Sequence, residues 1–393
     1  MPKLEEPYAV IFPFLGSEVG GSHIATFRLG RWLKDLFGLR CLVLCAADSR
    51  IAAEAARYGL DVASTGERPT GLNHPLYDLT KVRHRTALLQ RYGDADTIVH
   101  VNDLETTQSW APCVKLAGQR VVYQHQSLNS ASLKNRFRLA FADAFIAVSD
   151  ECLRNLHFVD QRRIVKVPYS YSCNRVDRAE ARRNVLRDSG VSDDSILLGF
   201  VGNFWNRKRP YFFLEAAKHI AAAEPRARFL VFGHARQIAK PELEAHAEKL
   251  GLRSAVSFMG FRSPPEENIA ALDVLLAPAI NEPFGLTPVE ALLLGTPYVV
   301  TADAGHLEIV ERWQGGLAVP KAASPQEFAE AALEIVRGEV SPVVSPQRRA
   351  EIALELSPRV QAEAVLAVYR RLQPTARAFA LSDPSSQLEN SGR

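Results

Sequence analysis

The sequence predicts an α/β protein with two doubly wound domains, each built on a parallel sheet. Short apolar runs alternate with longer amphipathic segments along nearly the whole chain. Runs such as Phe145-Ile-Ala-Val148 show no polar alternation, which is typical of strands covered on both faces. A chain of 393 residues is also too long for one compact core, so two domains are expected.

The first series of elements predicts a sheet in the N-terminal half. Residues 8–14 form the first predicted strand, residues 22–36 a helix and residues 42–45 a second strand. Further predicted strands cover residues 97–101, 120–123 and 145–148. In the helix, Ala25, Leu29, Trp32 and Leu36 fall on one face, which is the period of an amphipathic helix.

A stretch at residues 168–195 interrupts this pattern and predicts the domain boundary. It contains Tyr-Ser-Tyr-Ser-Cys-Asn and then a charged run from Arg175 to Arg187. A second series follows, with predicted strands at 196–201, 229–232, 256–258, 274–277 and 298–300 and a last helix at 357–372. We predict a first domain at 1–170, a linker at 171–195, a second domain at 196–356, a C-terminal helical segment at 357–380 and a disordered tail at 381–393.

Composition excludes several classes of protein. The 47 Lys and Arg residues against 44 Asp and Glu give a formal charge of +3, too mild to indicate a nucleic acid partner. The 5 cysteines lack the spacing of a zinc site and the density of a disulfide-rich domain, which favours a reducing compartment. The N-terminus lacks the order of a signal peptide, and no stretch approaches the roughly 20 apolar residues of a membrane helix. We therefore expect a cytoplasmic protein.

Loops that follow strands are the places where open α/β sheets bind ligands. The first such loop, Gly16-Ser-Glu-Val-Gly-Gly-Ser-His23, has the glycine spacing of a phosphate-binding ATPase loop but lacks its lysine. Gly20 and Gly21 therefore indicate one of two turns. Either backbone N–H groups approach an anionic or hydroxylated ligand there, or the turn only requires positive φ.

A cationic loop follows the predicted strand at 196–201. The segment Gly202-Asn-Phe-Trp-Asn-Arg-Lys-Arg-Pro210 places three cations just before a predicted helix at 211–222. Cations are unfavourable at a helix N-terminus, where the macrodipole is already positive, and an anion between them resolves the conflict. A diphosphate held by Arg207 or Lys208 is the binding hypothesis, and a solvated surface turn is the alternative.

Two carboxylates lie eight positions apart in Glu282-Pro-Phe-Gly-Leu-Thr-Pro-Val-Glu290. The end of this segment matches a capping box, with Thr287 as the N-cap of a helix that ends at Gly295. A cap accounts for Glu290 but not for Glu282, which precedes the helix. Gly285 leaves nearby backbone amides open to a ligand, and carboxylates accept hydrogen bonds from pairs of sugar hydroxyls.

The segment from Glu282 to Glu290, followed by Ala-Leu-Leu-Leu-Gly-Thr-Pro-Tyr-Val-Val, resembles the signature of a known family. This is the retaining glycosyltransferases of the GT-B fold, the glycosyl transferases group 1 or family 4, with their Glu-x7-Glu motif. The similarity extends, in the expected order, to Gly20-Gly21, Gly202 to Lys208, Val256-Ser-Phe-Met-Gly260 and Gly305-His-Leu-Glu-Ile-Val310. It implies two Rossmann-like domains facing a cleft, with the last helix crossing back to the N-terminal domain.

The resemblance implies catalytic roles for Glu282, Lys208 and Arg207. Glu282 would bind hydroxyls of the donor sugar, while Lys208 and Arg207 would neutralise the diphosphate leaving group. Glu290 would bind the ribose hydroxyls of the nucleotide. The remaining residues of the implied donor site are Gly20, Gly21, Gly202, Asn203, Phe284, Gly285, Leu286 and Thr287.

Two positions depart from the family pattern. Asn203 stands where many members carry arginine, which leaves the phosphate charge to the cations from Arg207 to Arg209. Asn102 stands where many members carry a sugar-contacting histidine. On the acceptor side, which is the first domain, that role would pass to Asn102, Asp103 or His125.

The resemblance implies transfer of a hexose-type sugar from a nucleotide-diphosphate sugar to an acceptor hydroxyl, with retention of anomeric configuration. The acceptor would be a glycan or a lipid-linked molecule, in a bacterial polysaccharide or glycolipid pathway. No cofactor is expected, and no metal, because the plain Asp-x-Asp sequence, Asp94-Ala-Asp96, precedes its strand. The alternatives are a non-catalytic regulator or partner subunit that binds a nucleotide sugar, and an epimerase or phosphorylase on the same fold.

The cluster Lys134-Asn-Arg-Phe-Arg138 fits two interpretations. One is a peripheral contact with an anionic membrane surface, which would place the protein at the inner face of the membrane. The other is a solvated basic face of a helix, and the sequence favours this second interpretation.

Overall fold

The computed structural model describes residues 6–67, 75–128, 132–171, 176–262 and 265–373, which divide into two units. The first unit contains the described residues up to Ser170 together with those from Pro358 onward. The second unit runs from Tyr171 to Ser357. Cys173 and the predicted tail at 381–393 lie outside the described residues, and the four described cysteines are buried and form no disulfide.

A parallel sheet of seven strands forms the centre of the first unit. Its strands are β1 (Val10–Pro13), β2 (Cys41–Cys45), β3 (Asp61–Ser64), β4 (Ile98–Val101), β5 (Arg120–His125), β6 (Ala144–Ala147) and β7 (Ile164–Lys166). Their order across the sheet is β3-β2-β1-β4-β5-β6-β7, so the chain begins in the middle and winds outward in both directions. The helices between them are α1 (Gly21–Phe37), α2 (Arg50–Arg57), α3 (Pro75–Tyr92), α4 (Leu104–Leu116), α5 (Leu133–Leu139) and α6 (Asp150–Asn155).

The second unit repeats this plan with six parallel strands in the order β10-β9-β8-β11-β12-β13. These are β8 (Ile196–Val201), β9 (Ala227–Phe232), β10 (Val256–Gly260), β11 (Val274–Ala277), β12 (Tyr298–Ala302) and β13 (Gly316–Pro320). Its helices are α7 (Arg178–Ser189), α8 (Pro210–Ala223), α9 (Lys240–Lys249), α10 (Pro265–Ala270), α11 (Leu286–Leu294), α12 (Ala304–Trp313), α13 (Pro325–Val336) and α14 (Pro346–Glu355). The two sheets confirm the predicted pair of doubly wound α/β domains.

The last helix, α15 (Pro358–Leu372), packs against α1 in the first unit. Its apolar face, which includes Val365 and Leu366, belongs to the same core as Phe12 and Phe27. A buried hydrogen bond of 2.6 Å joins the Tyr369 hydroxyl to Nδ1 of His100 on β4. Helix α15 therefore completes the first hydrophobic core.

Several elements differ from those predicted. Strands β3, β7 and β13 were not predicted from the sequence. β3 has exposed residues at both ends, and β7 has only 3 residues, so neither gives a strong apolar run. The predicted linker at 171–195 contains α7, which packs on α10 within the second unit. In α1 the fully buried positions include Phe27 and Leu33, whereas Trp32 and Leu36 are only half-buried.

Candidate functional site

Two loops of the second unit meet beyond the carboxyl ends of β8 and β11. These strands are direct neighbours in the sheet, so their following loops emerge side by side. The backbone N–H of Ile280 donates to the carbonyl of Arg207 at 2.9 Å. This bond joins the cationic loop to the loop that carries Glu282.

Glu282 forms ion pairs with two of the three cations of the neighbouring loop. Its Oε2 lies 2.8 Å from Nζ of Lys208 and also accepts from Nη1 of Arg207. The side chains of Glu282 and Lys208 are 11% and 18% exposed, whereas that of Arg207 is 42% exposed. One carboxylate faces two cations, so the cluster keeps an excess of positive charge that an anionic ligand can use.

The charge state of this cluster follows from its surroundings. Burial alone raises the pKa of Glu282, but the charges of Lys208 and Arg207 outweigh it and lower that pKa to about 2. His306 lies close enough to interact with all three, and its own pKa is lowered to about 4, first by burial. At neutral pH the site therefore holds an ionised carboxylate, two cations and a neutral imidazole.

The backbone around Glu282 is held by close contacts with the start of α12. The N–H of Gly305 donates to the carbonyl of Glu282 at 2.9 Å. A Cβ at Gly305 would lie 2.4 Å from the carbonyl oxygen of Phe284, so a side chain there is excluded by backbone. Gly285 has φ of 96°, in the left-handed region that favours glycine. Both glycines are required by geometry.

A hydrogen bond and an ion pair hold the residue before Glu282 in place. Asn281 adopts φ of 51°, and its N–H donates to Oδ2 of Asp303 at 2.7 Å. The other oxygen of Asp303 accepts from Nζ of Lys321 at 3.0 Å. Asp303 and Lys321 were not predicted from the sequence, because they lie in separate segments that carry no recognisable motif.

The start of α11 corrects the predicted capping box. The helix begins at Leu286 with Gly285 as its N-cap, and no side chain caps it. Thr287 therefore lies inside the first turn, because the left-handed backbone at Gly285 turns the chain into the helix two residues earlier than predicted. Glu290 falls in the second turn, beyond the third helical position at which a capping box places its carboxylate. The ending at Gly295 is confirmed, with φ of 73°.

The early start of α11 bears on the burial of Glu290 and on the N–H groups of the first turn. Glu290 is only 8% exposed, and its burial is no longer explained by a role as a cap. The first N–H groups of a helix have no partner within the helix, so at the start of α11 they are available to a ligand. The amides of Leu286 and Thr287 belong to this group.

The other predicted residues of the cationic loop have structural roles. Arg209 adopts φ of 54°, and its guanidinium lies 3.7 Å from the ring centre of Phe212 in a cation–π contact. Oδ1 of Asn203 accepts from the N–H of His234 at 3.0 Å, which ties the loop after β8 to the loop after β9. Gly202 directly follows β8, and a Cβ there would lie 3.8 Å from Cδ of Lys208. The charge available to a ligand therefore comes from Arg207 and Lys208.

Gly20 and Gly21 lie in the first unit, where the loop after β1 enters α1. Gly20 is the N-cap of α1 with φ of −124°, and neither glycine has positive φ. A Cβ at Gly21 would meet no atom within 4 Å, so the protein's own packing does not require glycine there. Of the two predicted explanations, positive φ is wrong, and the approach of a ligand stays a prediction.

A polar cavity of about 320 Å³ lies in the first unit, close to this loop. It is lined by Ser22, Asn102, Asp103, Leu104, Glu105, Gln126, Ser127, Asn135 and Arg138. Asn102 is 3% exposed, and neither polar atom of its side chain has a hydrogen-bond partner among the described residues. Since buried polar groups are normally paired, Asn102 is suited to a polar ligand.

The two other predicted acceptor-side residues differ from Asn102. Asp103 lines the cavity, but its carboxylate already accepts from the N–H and hydroxyl of Thr106 at 2.7 Å each, as the N-cap of α4. His125 does not line the cavity. Its ring nitrogens are 3.0 Å from the Tyr123 hydroxyl and from Oδ1 of Asn155, and burial lowers its pKa to about 4.

Within the described ranges, the His, Cys, Asp and Glu side chains form no group of three or more that could hold a metal ion. Asp94 accepts from the N–H of Asp96 at 3.0 Å, in a turn before β4. The helices of these ranges include none with the length and apolar character needed to cross a membrane.

Comparison with known proteins finds a family match within the second unit. Residues 195–337 match the family model for glycosyl transferases group 1, which confirms the resemblance drawn from the sequence. The chain is 32% identical over 200 residues to the D-inositol 3-phosphate glycosyltransferase of Corynebacterium urealyticum, a stretch that covers 49% of this chain and 47% of that protein. The chain thus matches about half the length of such relatives.

Solved structures are similar over almost the whole chain. The Anabaena protein HepE, in complex with UDP and glucose, has a TM-score of 0.79 at 19% identity, over 92% of this chain and 99% of that chain. The sucrose-phosphate synthase of Thermosynechococcus elongatus has a TM-score of 0.76 at 19% identity, over 94% of this chain and 100% of that chain. These similarities confirm the predicted GT-B fold.

Proposed function

We propose, since residues 195–337 match the family model for glycosyl transferases group 1, that this protein is a glycosyltransferase that uses a nucleotide-diphosphate sugar. It would move a hexose-type sugar to an acceptor hydroxyl with retention of anomeric configuration, in polysaccharide or glycolipid biosynthesis. The observation that carries the proposal is the ionised Glu282 held between Arg207 and Lys208, at the carboxyl ends of adjacent strands.

The arrangement supports a division of roles within the donor site. A diphosphate is attracted by the excess positive charge at Arg207 and Lys208. The free N–H groups at the start of α11 are further donors for oxygen atoms of the donor. Glu282, next to both, accepts hydrogen bonds from sugar hydroxyls, and the buried Glu290 accepts from the ribose.

Transfer then depends on stabilising the charge of the leaving diphosphate. As the bond to the anomeric carbon breaks, negative charge grows on the phosphate oxygen, where Lys208 and Arg207 lie preorganised by their pairing with Glu282. In retaining transfer the acceptor hydroxyl attacks from the face that the diphosphate leaves. Its new bond to the anomeric carbon replaces the bond to the phosphate oxygen, and that oxygen takes up the hydroxyl proton. The Asn102 cavity of the first unit is the candidate acceptor subsite.

A panel of sugar nucleotides tests this proposal. UDP-glucose is the first donor to try, because the similar protein HepE was crystallised with it. We expect saturation-transfer NMR to detect binding of one member among UDP, GDP and ADP sugars. Glu290→Gln should lose the ribose contacts and keep the phosphate affinity, whereas Glu282→Gln should lose the sugar contacts. If no sugar nucleotide binds, or if both variants bind like the parent, the proposed donor site is wrong.

We also propose that transfer needs no divalent metal, because two fixed cations already face the expected position of the diphosphate. Turnover with the identified donor and a panel of glycan acceptors should change by less than about twofold when EDTA replaces Mg²⁺ or Mn²⁺ in the assay. A loss of turnover in EDTA that either metal restores would contradict this prediction. Product stereochemistry, read by NMR of the new glycosidic bond, tests retention in the same experiment.

Asn203 favours one alternative, a protein that binds a nucleotide sugar without turnover. The side-chain amide of Asn203 accepts a hydrogen bond from the N–H of His234, and it carries no charge that could bind a phosphate. Donor binding without transfer or hydrolysis, across the whole acceptor panel, would support this alternative over the enzyme.

A further inference from the structure

Helix α5 presents an apolar face that no described residue covers. Leu133 and Phe137 are 82% and 73% exposed, the two largest values among the exposed large apolar residues of the described ranges. They are four positions apart and so share one face of the helix. Phe141, four positions further and 39% exposed, continues this apolar surface just beyond the end of α5. We call Leu133, Phe137 and Phe141 the α5 face.

Cations flank this face on both sides. Lys134 and Arg136 are exposed, and they fall on either side of Leu133 and Phe137 around the helix. The guanidinium of Arg136 lies 5.0 Å from the ring centre of Phe158. An apolar face bordered by Lys and Arg is the pattern of helices that lie in the interface of an anionic bilayer.

The opposite side of α5 is anchored in the protein. Leu139 is buried, and Nε of Arg138 donates to Oε1 of Gln108 on α4 at 2.6 Å. Asn135 and Arg138 also line the polar cavity that contains Asn102. One short helix therefore separates an exposed apolar surface from a candidate ligand cavity.

We propose that the α5 face docks on the headgroup region of an anionic membrane. Single exposed apolar side chains are common on soluble proteins, but neighbouring ones indicate an interaction surface. Charge favours a bilayer over a second copy of this chain. In a twofold self-contact, Lys134 and Arg136 would meet their own copies, whereas an anionic surface attracts both.

Docking by α5 would bring the Asn102 cavity beside the lipid headgroups. This consequence rests on the proposed function: the acceptor would then be the hydroxylated headgroup of a membrane lipid. The docking itself does not depend on it, because binding to vesicles is measured without donor or acceptor.

Sedimentation of the full chain with lipid vesicles tests the docking. We expect the parent protein to bind vesicles of phosphatidylcholine with phosphatidylglycerol at least about tenfold more strongly than phosphatidylcholine alone, and less as salt rises. Leu133→Ser with Phe137→Ser should weaken that binding by at least about tenfold, since two large apolar side chains no longer enter the interface. Lys134→Glu should weaken it by about fivefold or more.

The matched control is Leu354→Ser, because Leu354 is a leucine on α14 that is 71% exposed. It should bind vesicles like the parent. Unchanged thermal unfolding of each variant shows that the fold is intact, which is expected for exposed positions. The proposal is wrong if the parent does not bind anionic vesicles, if the α5 variants bind as well as Leu354→Ser, or if the α5 variants abolish a dimer in sedimentation velocity while vesicle binding is absent.

Discussion

Glu282→Gln is expected to lower kcat for sugar transfer by about 10²–10³-fold while the protein stays folded. Glutamine keeps the shape of the side chain but removes the charge between Lys208 and Arg207. The sugar hydroxyls lose an ionised acceptor, and the cations lose the partner that holds them in place. Steady-state kinetics with the identified donor, together with thermal unfolding, measure both effects.

The control for this variant is Glu311→Gln, on the same unit. Glu311 lies exposed on α12, so its replacement should leave kcat and unfolding close to those of the parent. If Glu282→Gln keeps more than about half of the parent kcat, the carboxylate only organises the loop. Its ion pairs would then be structural, and the donor sugar would have to be bound elsewhere.

The low pKa of Glu282 determines how the charge of this side chain depends on pH. The folded pKa of Glu282, about 2, lies below its ordinary value of 4.5. A depressed carboxyl pKa contributes stability that is present above the unfolded value and is lost as pH falls through the folded one. Over the pH range of an assay Glu282 is therefore ionised, so any acid limb in the rate must come from another group.

The sequence predicted those parts of the molecule that depend on local pattern. β8 and β11 were predicted at their observed bounds, because each is a continuous apolar run bounded by polar segments. β13 was missed although it pairs with β12 along its full length, since its glycine and proline resemble those of a turn. The doubly wound plan follows from the repeated alternation of such runs with amphipathic helices.

The residue patterns themselves predicted two separate features, a cationic loop and a carboxylate loop, and only the family resemblance placed both in one donor site. Their pairing could not be read from the sequence, because Arg207 and Glu282 are 75 positions apart and meet only through the adjacency of β8 and β11. The capping box failed for a different reason. Gly285 adopts a left-handed conformation, and a Cβ there would lie 2.7 Å from Cδ2 of His306, so the start of the helix is constrained by a segment that is not adjacent in sequence.

Lys208→Met removes a positive charge from the site, and we expect it to lower kcat about as much as Glu282→Gln, which removes a negative charge. The ammonium of Lys208 is mostly buried beside Glu282, where a charge interacts more strongly than it does in water. Its loss should lower kcat by about 10²–10³-fold, because charge on the leaving phosphate grows in the transition state. The KM for the donor should rise less, by about tenfold or below, since Arg207 still attracts the ground-state diphosphate.

Comparison of the two cations tests this assignment. Arg207 is 42% exposed against 18% for Lys208, so Arg207→Met should lower kcat less than Lys208→Met does. Lys208→Arg keeps the charge and should retain more activity than Lys208→Met. Lys249→Met, at an exposed position on α9, is the matched control and should behave as the parent. If Lys208→Met changes only KM, the lysine binds the donor but does not stabilise the departing phosphate, and the catalytic role moves to Arg207.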